Sequence, residues 1–340
     1  MADIIHIPTA QYFQLVNPTD LDLPPDNVLI RPEVQTALYE HMFDESLTPL
    51  PPATYRARIL KLLIARIEGA VANPEEDEIL DELMTAWGDL LTQPKPSPLD
   101  AATELSHVKY TAPLQPKCTS TDRTVITVES RGVLLAGRTT GNRTWEAALH
   151  LGSFLTSPTG QAIVQGKRVI ELGAGTGFLS LLCARHLGAQ VVVATDREPV
   201  LLENMKECVR LNSGAAGGEM IPMYPAFWDW GTPLEGKEEL GEGGKMSFDI
   251  ALGADLVYDA DIVPLLLSTL RDLFENYQVK EFITGVALRN EATFQAFTTG
   301  CDSHGFKVEP LPFESAPAHQ QTGFFHATDI PVRTYRVLPG

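Results

Sequence analysis

The chain has 340 residues, enough for a large buried core, and at roughly 150 residues per domain it predicts two folding units. Its formal charge of −18 repels a phosphate backbone, and without a concentrated basic patch to offset that charge, direct nucleic-acid binding is not expected. Cys118, Cys183, Cys208 and Cys301 lie far apart and outside any CxxC or Cys/His cluster, so a reducing compartment and no metal site are expected. Residues 1–11 lack a leader's basic and apolar regions, and no apolar run approaches the ~18 residues that span a bilayer; a soluble, cytoplasmic protein without a membrane partner is expected.

The first hundred residues read as helices punctuated by proline. Over 55–72, Ile59, Leu62, Leu63 and Ile67 recur at helical spacing among Arg56, Arg58, Lys61 and Arg66. A second helix is expected to start at Pro74, with the acidic run 75–78 at the positive end of its dipole. Its stripe of Ile79, Leu80, Leu83, Met84, Trp87, Leu90 and Leu91 should be buried. These helices read as a packing module or, functionally, as a docking surface for a folded partner. The proline-rich stretch 93–98 is the expected linker, which divides the chain into a helical domain at 1–95 and a larger domain at 96–340. Beyond it, 123–129 and 132–136 read as a β-hairpin.

From Lys167 onward strands alternate with helices. Strands are expected at 168–172, 190–195, 219–224, 248–254, 281–286, 305–309 and 332–338, and helices at 177–187, 199–212, 262–277 and 291–304. That order predicts an α/β fold with a doubly wound, mostly parallel, Rossmann-like seven-strand sheet, whose ligands bind beyond the carboxyl ends of the strands.

The first of these strands runs through Glu171-Leu172 into Gly173, Ala174, Gly175, Thr176 and Gly177, and then a helix. Glycines admit positive φ and let a ligand approach the main chain, and the free N–H groups of the helix start suit an electron-rich ligand. The GxGxG spacing is one residue shorter than the dinucleotide fingerprint. Glu171 could accept from a ligand's amino-acid portion. Asp196, at the end of the next strand, could accept from two ribose hydroxyls or simply cap the helix that follows. After the third strand, Asp229 and Trp230 in Phe227-Trp228-Asp229-Trp230-Gly231 suit a purine, the ring packing on its face and the carboxylate accepting from its amine. Together these narrow the expected ligand to S-adenosylmethionine.

The fourth strand delivers Ala254 and then Asp255 and Tyr258, one acceptor and one hydroxyl, to the same edge, where transfer from a sulfonium needs a positioned neutral nucleophile. Asp255 could otherwise cap a helix and Tyr258 could pack in the core. No proline separates them, unlike the Asn/Asp-Pro-Pro-Tyr run of enzymes that methylate bases. Trp145, in the polar turn 139–149, could cover the ligand's methionine end or anchor a domain interface.

The run Thr140-Gly141 to Leu149, the 171–177 loop, Trp228-Asp229-Trp230-Gly231 and Asp255-x-x-Tyr258 resemble the protein-lysine methyltransferases that modify cytosolic translation factors and chaperones. The resemblance spans roughly residues 110–340. It implies cofactor contacts at Trp145, Gly173 to Gly175, Asp196, Trp230 and Ala254, and a lysine channel lined by Asp255 and Tyr258. Within the family, the helical extension and the 137–149 stretch are most similar to members acting on elongation factor 2, which implies N-methylation of a lysine on that protein; separately, a monomer is expected. The polar insertion 235–245 is an expected surface loop. Two other readings stay open on the residues alone: a methyltransferase of the same fold acting on another protein or a small molecule, and a binding protein that keeps the fold without catalysis.

Overall fold

A computed structural model describes residues 2–71, 78–94, 97, 104–114, 123–130, 140–213, 220–234 and 246–340. The chain divides into two compact units, Met1–Thr111 with Ser130–Val133, and Ala112–Glu129 with Leu134–Gly340. The expected boundary at 95/96 falls outside the described residues, as do the expected hairpin strand 132–136 and the insertion 235–245.

The first unit carries helices α1 (Ala2–Phe13), α2 (Asp26–Leu29), α3 (Pro32–Leu38), α4 (Ala53–Ala70) and α5 (Asp81–Thr92), then strand β1 (Leu105–Thr111). Ile59, Leu63 and Ile67 of α4 are fully buried one turn apart and pack with Tyr12, Leu38 and Phe43. Helix α5 begins later than the acidic run suggested. Residues 78–80 are not helical, and the acidic first turn is Asp81-Glu82. The buried stripe is also narrower than expected. Leu83 and Leu90 are buried, whereas Met84 and Leu91 are 39% and 54% exposed, because one further residue rotates a side chain by ~100° on the helix.

The second unit includes β2 (Thr124–Ser130) up to Glu129 and is built around a seven-stranded sheet. Its strands are β3 (Arg168–Glu171), β4 (Val191–Asp196), β5 (Met223–Phe227), β6 (Ile250–Ala254), β7 (Glu281–Ala287), β8 (Lys307–Pro310) and β9 (Val332–Leu338), in the order β5-β4-β3-β6-β7-β9-β8. β3 to β7 run parallel, and β9 is antiparallel to both β7 and β8. Helices α6 (Glu146–Thr156), α7 (Pro158–Val164), α8 (Phe178–His186), α9 (Pro199–Asn212), α10 (Val263–Asn276) and α11 (Glu291–Ser303) accompany it. Val169, Ile170, Val192 and Leu252 are wholly buried, as expected for strands covered on both faces. The strand order reverses between β3 and β6, so the carboxyl ends of β3, β4, β5 and β6 open onto one crevice.

The strand expected at 219–224 pairs instead over Met223–Phe227, where Met223 meets Val192 and Phe227 meets Asp196. β2 is fastened to α9 by side chains: Asn212 donates to the Ile126 carbonyl at 2.6 Å and accepts from its N–H at 3.0 Å.

Candidate active site

The carboxyl ends of β3 to β7 and the turn before α6 surround a cavity of about 460 Å³, within the range of small-ligand sites. Trp145, Glu171, Gly173, Ala174, Gly175, Asp196, Asp229, Trp230, Ala254, Asp255 and Tyr258 all line it. Gly177 does not. It sits at φ +76 as the N-cap of α8, where a Cβ would meet Met205 Cγ at 3.1 Å, so its part is to turn the chain into the helix.

The glycine turn is held from two sides. Gly175 has φ +55, and a Cβ there would lie 3.0 Å from the Gly141 carbonyl oxygen, so two backbone segments meet without room for a side chain. Asp196 Oδ2 accepts from the Gly175 N–H at 3.0 Å, and Oδ1 accepts from the Glu198 N–H at 3.1 Å. Burial raises the Asp196 carboxyl above its ordinary value, and the Gly175 hydrogen bond opposes that rise. Glu171 is 3% exposed, and its Oε2 accepts from both the N–H and the hydroxyl of Ser180 in the first turn of α8. Burial pushes it up to about 8, against those two hydrogen bonds.

The two tryptophans after β5 part company. Trp228 is 1% exposed and donates through Nε1 to the Thr232 carbonyl, so it belongs to the sheet's core. Trp230 is half-buried and lines the cavity beside Gly173, with Asp229 exposed next to it.

Asp255 follows β6 in a left-handed backbone conformation, φ +57, held by its N–H donating to the Gly285 carbonyl at 2.9 Å. It caps no helix. That part is taken by Asp259, which accepts from the Asp261 N–H. Tyr258 is 59% exposed at the cavity, and is not a packing residue. The Asp255 carboxyl is raised by burial and lowered by Arg289. Arg289, in the loop after β7, donates to Asp255 Oδ2 at 2.6 Å and to Glu146 Oε2 at 2.9 Å. Its guanidinium lies 5.5 Å from the Trp145 ring centroid, and that of Arg143 lies 5.1 Å from it.

A buried chain of polar groups supports the turn before α6. Glu129 of β2 is 0% exposed and accepts from the Thr127 hydroxyl, the Thr144 hydroxyl and the Thr144 N–H, and Thr144 Oγ1 meets Thr176 Oγ1 at 2.7 Å. Arg289 and Glu129 carry no site expectation from the sequence, and Thr144 and Thr176 stand in its motifs without a role of their own. The available signals are a carboxylate closing the β-branched run Val125-Ile126-Thr127-Val128, for Glu129, and an arginine just past a strand's carboxyl end, for Arg289.

A family profile described as "Lysine methyltransferase" matches residues 134–299. A likeness of 39% identity over 95% of this chain and 94% of the relative links it to Protein-lysine N-methyltransferase EFM3 of Chaetomium thermophilum. The chain belongs to the protein-lysine N-methyltransferases. It is also 25% identical to Protein-lysine N-methyltransferase EEF2KMT of Homo sapiens over 81% of this chain and 76% of that one. With EEF1A lysine methyltransferase 3 of Mus musculus it shares 37% identity over 38% of this chain and 50% of that one. As a protein-lysine methyltransferase it takes its methyl group from S-adenosylmethionine and has a protein as its acceptor. Among its described residues no helix is long and apolar enough to cross a membrane.

Proposed function

We propose that this methyltransferase modifies a lysine of elongation factor 2, as a cytoplasmic monomer, with cofactor and acceptor meeting in the cavity between β3 and β6. The observation that carries the site is the convergence of a glycine turn, Asp196, Asp229-Trp230 and Asp255 on one cavity of ligand size.

The residues present fit the cofactor. Gly173 and Gly175, both at positive φ, present bare backbone where an amino-acid group would lie, and a Cβ on Gly173 would strike Leu256 at 2.7 Å. Glu171 and Trp145 would hold the methionine end, Asp196 the ribose hydroxyls, and Asp229, Trp230 and Ala254 the adenine. When bound, the cofactor supplies an electrophilic methyl group on a sulfonium.

A lysine nitrogen must arrive neutral and in line with that methyl. Asp255, with its side chain 13% exposed, accepts from the amine and orients it, and Tyr258 lines the approach with a hydroxyl and a ring. The elongation factor 2 assignment is supported by reach. The likeness to EEF2KMT covers more of the chain than the residues from β1 onward can supply, so it includes part of the helical unit, whereas the likeness to EEF1A lysine methyltransferase 3 covers 38%. The helical residues 1–95 would then dock the folded acceptor.

Tritiated S-adenosylmethionine, incubated with the enzyme and a cell lysate, tests this. A labelled band at the mass of elongation factor 2, abolished by Asp196→Ala, is expected. Label only at elongation factor 1A, or only in small molecules, would overturn the assignment.

A further inference from the structure

The cavity carries a cation that the reading above leaves without a part. Arg289 emerges from the carboxyl end of β7, across the sheet from the glycine turn, and is 34% exposed. One arm of its fork donates to Asp255 at 2.6 Å and the other to Glu146, the first residue of α6, at 2.9 Å. The Trp145 ring lies beneath it at 5.5 Å. Three segments that are remote in the chain, the turn after β6, the start of α6 and the loop after β7, thus meet through one guanidinium.

We propose that Arg289 is a positioning residue for methyl transfer: by bridging Asp255 and Glu146 over Trp145 it keeps the Asp255 carboxylate turned toward the cavity, where the acceptor amine is received. The inference rests on the reading of Asp255 as the amine's acceptor. A planar fork can hold two carboxylates at a fixed separation, which a lysine ammonium cannot do, so the site's geometry depends on arginine as such.

The charges around Asp255 give the bridge a second effect. Glu146 faces it from α6, Arg143 lies beyond Glu146 at 3.5 Å, and Tyr258 and Asp259 follow it on its own turn. Asp196 and Arg197 approach Tyr258 from the end of β4. Among the described residues Arg289 is the cation in direct contact with Asp255. Burial favours the neutral carboxyl and Arg289 favours the ionised one, and only the ionised one attracts a lysine. Without Arg289, Asp255 and Glu146 would also repel each other.

The test compares Arg289→Met, Arg289→Gln and Arg289→Lys with wild type. Each is mixed with tritiated S-adenosylmethionine and lysate protein, and methyl-lysine is counted after acid hydrolysis, so the identity of the acceptor does not matter. The ratio of variant to wild-type rate is followed from alkaline to acid pH, which cancels titration of the amine itself. Calorimetry with S-adenosylhomocysteine shows that each variant is folded.

For Arg289→Met and Arg289→Gln the ratio should fall by about tenfold or more toward acid pH, because Asp255 without the guanidinium takes up its proton at a higher pH. For Arg289→Lys the ratio should be lowered at every pH but level, since the charge remains and the fork is lost. A level ratio for both neutral variants would overturn the proposal. So would a ratio above one, which would make Arg289 a resident competitor of the lysine. If wild type produces no methyl-lysine at all, the failure lies with the reading of the site and the inference falls with it.

Discussion

Asp196 Oδ2 accepts a hydrogen bond from the Gly175 N–H at 3.0 Å, so the carboxylate ending β4 fixes the turn that ends β3. The same side chain, through Oδ1, holds the Glu198 N–H at the approach to α9. A residue read from sequence as either a ribose acceptor or a helix cap therefore does the structural work of a brace, and still lines the cavity.

Asp196→Ala should therefore lose affinity for S-adenosylmethionine in two ways, through the missing acceptor and through a slackened glycine turn. A hydrogen bond to a charged group contributes about 1.5–3 kcal/mol, so calorimetry should show a loss of at least about tenfold. Asp196→Asn, which can keep one accepting oxygen, should lose less. Equal losses in the two variants would mean that the charge, and not the brace, matters.

Glu129 reaches the site through Thr144. Glu129→Ala leaves the Thr144 N–H and hydroxyl buried without that acceptor, at about 1–3 kcal/mol, and should lower the melting temperature while weakening cofactor binding. Thr144→Val removes the hydroxyl link to both Glu129 and Thr176 and should show the same two effects in smaller measure. A melting temperature unchanged by Glu129→Ala would show that the network does not hold the turn.

Glu171 gives a pH signature. Its folded value, about 8, lies above the ordinary 4.5, so between those limits the unfolded chain gives up a proton that the folded chain keeps. The folded state then binds more protons, and stability must fall as pH rises through that window. Below pH 4.5 the two states are equally protonated at this site and the effect vanishes. Urea unfolding of the cofactor-free enzyme should show this decline from pH 5 to 8, and Glu171→Gln, neutral throughout, should remove most of it. Identical pH slopes for the two proteins would refute the raised value.

The parts of the fold that sequence conveyed well were those with strong local punctuation. α9 is bounded by Pro199 and Asn212 as expected, and β9 occupies 332–338 as expected, a run rich in strand-forming residues ahead of the chain's last proline. The antiparallel placement of β9 between β7 and β8 was not legible, because local pattern says nothing about which neighbour a strand finds. The glycine turn, Asp196 and Asp255 could be placed because strand ends in a doubly wound sheet are ligand sites by topology. Arg289, Glu129 and Thr144 act through contacts 15 to 143 residues apart in the chain, and such pairings exist only once the sheet has assembled. The split between Trp228, buried in the core, and Trp230, partly buried against that same core at the cavity, likewise exists only in the assembled sheet.

The most direct test of the central claim, that methyl transfer to a protein lysine occurs at Asp255, is a comparison of wild type with Asp255→Asn. Turnover on purified elongation factor 2 is measured alongside the dissociation constant for S-adenosylmethionine. The amide keeps the shape but lacks the charge that attracts and orients the amine, so turnover should fall by about a hundredfold or more. Cofactor affinity should stay within about threefold, because Asp255 is held by Arg289 and Gly285 and not by the glycine turn. Comparable losses in both quantities, or undiminished turnover, would contradict the account.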